Sequence, residues 1–218
     1  MSNNVELDKI NEKYKKLQNK YGDKNLDAIL NGGLSINPDL CLIFMNPTGK
    51  NIASSKSWHG IKGPWVGTKP IWKILNELNL IDDDICLEIQ NKKPLDWTPE
   101  FALKLYNHIE NKKIYITNLG KCTQIDARPL KDSQFKEYLN LLDKEIDVVK
   151  PKKIICFGNQ VSSLFLNKKI SVSEVRRMKF EKKIKGNSYI VYSVYYPVGN
   201  GRFNIDKVME DIPYILNE

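Results

Sequence analysis

Three polar side chains stand where apolar runs break off: Asn46 after Cys41–Met45, Asn118 after Ile114–Thr117, and Tyr196 after Tyr189–Tyr195. A fourth run, Ile154–Phe157, ends at Gly158-Asn159-Gln160. A carboxamide presents donors and an acceptor in one plane, and a phenol presents a donor whose ordinary pKa is about 10. Groups of this kind read the hydrogen-bonding edge of a flat ligand or orient a water molecule. Between the first two lies Gly63-Pro64-Trp65-Val66-Gly67, which sets an indole between glycines. An aromatic beside a cleft can stack on a flat ring such as a base, although most aromatics simply pack a core.

Elements must bring these breaks together. Short, β-branched, near-continuous apolar runs are the pattern of parallel strands covered on both faces. In an open parallel sheet the ligand sits beyond the carboxyl ends of the strands, where these breaks fall, so one site assembled from distant segments is expected. Val5, Leu7, Ile10, Tyr14, Leu17 and Tyr21 share a helical face that ends at Gly22. A short helical turn over Leu26–Leu30 is expected next, closed by Gly32-Gly33, then a strand over about residues 39–45. The long loop 46–69 is too rich in tryptophan to be disordered. Helices are expected from Pro70, from Thr98 as N-cap to about Asn111, and from a cap at Asp132 or Ser133 to Pro151. A second irregular loop is expected to end at Pro129. Further strands are expected over 113–117, 153–157, 178–184 and 189–195, with helices over 160–166 and 204–216. Strands alternating with helices predict a three-layer α/β/α sandwich around a mainly parallel sheet. A single domain over 1–218 is expected, with the helical segment 1–35 packed on it.

The chain has 218 residues, 41% hydrophobic and 28% charged, with a formal net charge of +8. That balance fits a soluble globular protein with either a polyanionic partner or a solvated basic surface. No apolar run approaches the roughly 20 residues of a membrane span, and the N-terminus lacks a signal-peptide core. A cytoplasmic location is expected, nucleoid-associated in a prokaryote. The four cysteines show no CxxC spacing and read as buried or inert thiols rather than a metal site.

Five segments together resemble the uracil-DNA glycosylase superfamily, from about Leu40 to Lys207. Phe44–Gly49 (FMNPTG) resembles its first motif, nearest the GMNPG or GINPG form of the single-strand-selective and mismatch-specific uracil glycosylases. Gly63–Gly67 (GPWVG) is similar to the GxPFxG element. Ile114–Cys122 (IYITNLGKC) resembles the strand that ends in a base-reading asparagine. Pro151–Gln160 resembles a PxxIxxxG strand and turn, and Tyr195–Asn204 (YYPVGNGRFN) stands in place of HPSxxN.

The resemblance implies hydrolysis of the N-glycosidic bond of a flipped, deaminated base, uracil or hypoxanthine, in single- or double-stranded DNA. Asn46 and Tyr196 would be catalytic, with Asn46 positioning the water. Met45, Pro47, Trp65 and Asn118 would bind the base, Trp65 by stacking and Asn118 by reading the pyrimidine edge. Lys121, Pro197, Gly199, Asn200 and Arg202 would contact DNA. No cofactor or metal is implied, nor any protein partner, and a monomer is expected. Two departures stand out. Tyr196 occupies the position of the family histidine, with Val198 where serine is frequent, and an N-terminal CxxC pair is missing. Only Cys122 matches an iron–sulfur ligand position, so no cluster is expected.

A catalytically degenerate DNA- or modified-base-binding protein is the alternative, and a hydrolase of another N-glycosidic substrate is a third. His59 could replace the missing histidine, although a solvent-facing loop histidine is the stronger reading. His108 is expected to be exposed, and Asp82-Asp83-Asp84 reads as an acidic turn rather than a cation site. Gly158-Asn159-Gln160 lacks the glycine spacing of a dinucleotide fingerprint.

Overall fold

A computed structural model describes residues 2–126 and 130–218, without the side chains of residues 2–4 and of Asn200. Among the described residues one sheet holds six strands: β1 (Asn31–Gly33), β2 (Leu40–Phe44), β3 (Ile114–Asn118), β4 (Lys153–Phe157), β5 (Phe180–Ile184) and β6 (Asn187–Val194). Their spatial order is β1-β3-β2-β4-β6-β5. The four inner strands run parallel, and both edge strands pair antiparallel.

Alternation along each strand divides the core in two. Leu40, Leu42 and Phe44 face one layer, together with Ile155, Phe157 and Val194. Cys41 and Ile43 face the other, together with Tyr115, Ile154 and Cys156. Both faces are apolar because both are covered, so the runs read as continuous in sequence. The first face is covered by α2 (Pro70–Glu77), α3 (Asp83–Asn91), α4 (Pro99–Asn111) and α8 (Ile205–Asn217). The second is covered by α1 (Ser2–Tyr21), α5 (Asp132–Val149) and α6 (Asn159–Leu166). A single turn, α7 (Val172–Val175), precedes β5. The expected three-layer sandwich is the observed one.

Local chemistry sets the helix ends. Pro70 and Pro99 occupy first helical positions, where a missing N–H costs nothing. Thr98 Oγ1 accepts the N–H of Phe101 at 3.2 Å. α5 stops at Lys150 in a left-handed conformation (φ 54°), with Pro151 next.

Several expectations are corrected. Leu26–Leu30 forms no helical turn. Its amides bond outward, Asp27 N–H to Ser54 O at 2.7 Å and Ile29 N–H to Lys121 O at 3.0 Å, so distant partners override the local pattern. Gly32 and Gly33 belong to β1 instead. Gly33 (φ +91°) rests on the Ile114 carbonyl, where a Cβ has no room. The α5 cap is Lys131, whose N–H donates to Gln134 Oε1 at 2.8 Å, and Asp132 is the first helical residue. Asp82 caps α3, and Asp83 and Asp84 fill its first turn, where the helix dipole favours negative charge. His108 is largely buried: its Nε2 accepts the N–H of Asp82 at 3.2 Å and ties α4 to the start of α3. The expected end of the second loop at Pro129 lies outside the described residues.

Candidate active site

Phe44 and Phe157 end β2 and β4, and their rings stack at 4.4 Å and 2° to form a flat floor. Trp65 stands edge-on to Phe44 at 5.1 Å and 76°. Tyr196 lies 6.4 Å from Phe44 and 6.4 Å from Trp65. Asn118 pairs with Phe44 in the β2–β3 register, so its side chain shares this face of the sheet. The structure therefore brings Asn46, Trp65, Asn118 and Tyr196 to the carboxyl ends of the inner strands.

Asn118 is 3% exposed, and its Nδ2 is buried without a partner. An unmade buried donor costs about 1–3 kcal/mol, a cost that a ligand acceptor would remove. Beyond Asn118, Leu119 N–H donates to Phe44 O at 2.7 Å and Gly120 N–H to Met45 O at 2.8 Å. These bonds zip the end of β3 to the end of β2 and fix Asn118 relative to Asn46. The Asn46 Nδ2 donates to the Pro47 carbonyl at 3.3 Å. Its Oδ1 has no protein partner among the described residues and is available to accept from water. Pro47 is buried and Met45 half-buried.

Trp65 adopts φ +67°, a left-handed conformation that costs a bulky residue about 1–3 kcal/mol. Buried donors hold it there. Tyr106 OH donates to the Pro64 carbonyl, and the Trp65 carbonyl accepts from Trp72 Nε1 at 3.1 Å and Thr68 Oγ1 at 2.8 Å. Asn51, which sequence reasoning missed, donates from Nδ2 to the Gly63 carbonyl at 2.9 Å while its Oδ1 accepts the N–H of Ala53. Trp65 Nε1 is itself buried and unpartnered.

Tyr196 is half-buried, and burial pushes its phenol up to about 12, so it is neutral and able to donate at physiological pH. Its hydroxyl has no hydrogen-bond partner among the described residues. Gly158 sits beside it at φ +92°, a left-handed backbone conformation that glycine adopts without strain. Met45, Phe157, Gly158, Tyr196 and Gly201 line an open cleft of about 310 Å³. A larger depression of about 450 Å³ lies between α3 and α4, and none of its lining residues carries a buried unpartnered polar atom.

The last motif forms a tight 3-10 turn over Gly199–Asn204, with Gly199 at φ +61°. Asn200 contributes backbone to this turn. Arg202 is exposed, with its guanidinium 5.3 Å from the ring centre of Phe203. Phe203, 80% exposed, was missed in sequence, where its signal was a lone aromatic among turn residues. Two expected DNA contacts are corrected. Pro197 is buried in the turn. Lys121 is fully buried on the opposite side of the sheet, 3.2 Å from Glu145, and burial lowers its pKa against the pull of that carboxylate. His59 is exposed, and no hydrogen bond orients it among the described residues.

Cys41, Cys86, Cys122 and Cys156 are all buried and free, and burial raises every one of the four thiols. Among the described residues no three His, Cys, Asp or Glu side chains converge to hold a metal. No helix among the described residues is long and apolar enough to cross a membrane.

Two comparisons with known proteins bear on this chain. A type-4 uracil-DNA glycosylase of Sulfurisphaera tokodaii is 26% identical over 108 residues, covering 47% of this chain and 49% of the relative. The chain thus spans about half the length of that curated relative. Residues 34–208, which contain the aromatic floor, both asparagines and the last motif, match the Uracil DNA glycosylase superfamily. By that match across most of its length, the chain belongs to the uracil-DNA glycosylase superfamily.

Proposed function

We propose that this protein is a monofunctional DNA N-glycosylase that hydrolyses the bond between deoxyribose and a deaminated base, with uracil as the main substrate and hypoxanthine as a second. The observation that carries this reading is the buried, unpartnered Asn118 Nδ2 beside an aromatic floor. In the reaction the C1′–N bond breaks and its electron pair leaves with the base. The sugar gains oxocarbenium character, water adds to C1′, and the proton that this water gives up passes through solvent to the released base anion. Asn118 donates to the uracil O4 and accepts from N3–H, so it selects a base with that edge. Trp65 stacks on the flipped ring. Asn46 cannot take a proton at neutral pH, so its Oδ1 orients the water rather than deprotonating it. Tyr196, a neutral donor, hydrogen-bonds the departing base as charge builds on it. Arg202 with the Gly199–Asn204 turn holds the DNA backbone, and Phe203 fills the space that the flipped base leaves. The protein acts as a monomer.

The test is cleavage of end-labelled single- and double-stranded oligonucleotides carrying one uracil or one hypoxanthine, with alkali revealing abasic sites. Cleavage by the wild type, lost in Asn46→Ala and Asn118→Ala proteins that still bind DNA, is expected. A second reading, a binder that recognises the base without releasing it, is favoured by the tyrosine that stands at 196 where the resembled motif has histidine. Binding without cleavage, with activity restored by Tyr196→His, would decide for it.

A further inference from the structure

The superfamily match begins at residue 34, yet α1, which ends at Tyr21, reaches under the site. Glu145 on α5 is fully buried and accepts from Tyr14 OH at 2.7 Å, from Tyr115 OH at 2.9 Å and from Thr117 Oγ1. Lys121 Nζ joins it at 3.2 Å and also donates to Thr117 Oγ1 and, at 2.9 Å, to the main-chain carbonyl of Asn118. The Tyr14 ring lies 5.0 Å from the Lys121 ammonium. One helical turn further on, buried Gln18 accepts the N–H of Thr123 at 2.7 Å and donates to Asp23 O and Leu26 O, each at 2.9 Å.

Two polar side chains on one face of α1 thus grip the segment 117–123 from both ends. A buried ion pair with this many partners is a costly way to fill a core, since apolar residues of the same volume are often neutral or stabilising. Directional bonds differ from apolar packing in that they fix geometry. Here their outlet toward the crevice is the Asn118 peptide.

We propose that α1 is a positioning element of the active site: Tyr14 acting through Glu145 and Lys121, and Gln18 acting through Thr123, hold the segment that aims the Asn118 carboxamide. The inference rests on the base-reading role of Asn118 proposed above.

The experiment uses the full chain with Tyr14→Phe, Gln18→Met and a control, Leu7→Ala, which removes buried apolar packing from α1 without touching the network. Three readouts are taken: Tm, the side-chain amide resonances of Asn118, and single-turnover cleavage of uracil-containing DNA well below the lowest Tm. Tyr14→Phe keeps its ring, so it should shift the Asn118 amide resonance. It should also slow cleavage roughly tenfold, the scale of a sub-ångström misplacement, with the DNA Kd changed less than about twofold. Gln18→Met should act in the same direction. Leu7→Ala should lower Tm without moving the resonance or the rate. A Tyr14→Phe protein with lowered Tm but wild-type resonance and rate overturns the proposal. Absence of cleavage by the wild type would refute the glycosylase reading alone. The Asn118 resonance would still decide the positioning, a shift supporting it and no shift overturning it.

Discussion

Gly201→Ala is the sharpest single perturbation of the last motif. Gly201 closes a turn in which its N–H donates to the Val198 carbonyl at 3.1 Å. A Cβ built there falls on the Tyr196 carbonyl oxygen, far inside the 3.0 Å that real Cβ contacts respect, and only 3.5 Å from the Tyr196 Cβ. The obstruction is backbone, so no flexible side-chain tip can swing aside. Relief requires the Tyr196 peptide to move by about 1 Å, and a misplacement of that size near reacting atoms costs on the order of 10²-fold in rate. Tenfold per 1.36 kcal/mol makes this about 2.7 kcal/mol of lost transition-state stabilisation. Overpacking of this kind costs about 1–3 kcal/mol of folding stability. The assay is single-turnover cleavage of uracil-containing DNA beside urea unfolding of the free protein. The expected result is about a hundredfold slower cleavage with DNA binding weakened less than tenfold. Cleavage within twofold of wild type, at unchanged stability, would refute both the close approach and the proposed role of Tyr196.

Asn118→Ala removes an unpartnered buried donor, so the free protein should be no less stable than wild type in urea unfolding. The same change should lower the uracil cleavage rate by about 10²–10³-fold, the worth of one preorganised donor. The Tyr196 phenol is pushed up to about 12 by burial, above its unfolded value of about 10. Its folded state therefore keeps the proton longer. The stabilisation is complete below about pH 10 and is lost as pH rises through about 12, so Tyr196→Phe should flatten alkaline unfolding in that window. In the wild type the raised phenol pKa should leave the pH–rate profile without any ionisation of Tyr196 below about pH 9. Phe203→Ala touches no core and should change folding stability by less than about 0.5 kcal/mol. DNA affinity should fall by about 1–3 kcal/mol, the worth of one stacked ring, as read by titration of fluorescent oligonucleotides.

The four inner strands were legible because each carries a near-continuous apolar run, and the breaks at Asn46, Asn118 and Tyr196 fall at their ends in the fold. The segment 26–33 was not. Gly32 and Gly33 have no strand propensity, and β1 exists because β3 offers its backbone. Lys121 looked like a DNA contact because charge in a sequence carries no depth. Its partner Glu145 lies on a helix formed later in the chain. The tryptophan of the Gly63–Gly67 loop was identifiable by its setting between glycines. The φ of +67° that aims it depends on Trp72, Tyr106 and Asn51, which no local pattern links to it.

Both edges of the sheet run antiparallel to the strands beside them, and this bears on how the molecules behave when crowded. β1 is three residues long, and the Asn31 side chain beside it bonds to Asn11 of α1 at 3.1 Å, so little backbone is free for another chain to pair with. β5 reads Phe-Glu-Lys-Lys-Ile, with Glu181 and Lys183 exposed and Lys182 drawn to Asp143 at 3.1 Å. A second copy pairing parallel and in register at that edge meets like charges opposite like charges. A three-residue β1 and a charged β5 thus leave crowded molecules little edge on which to extend one another's sheets.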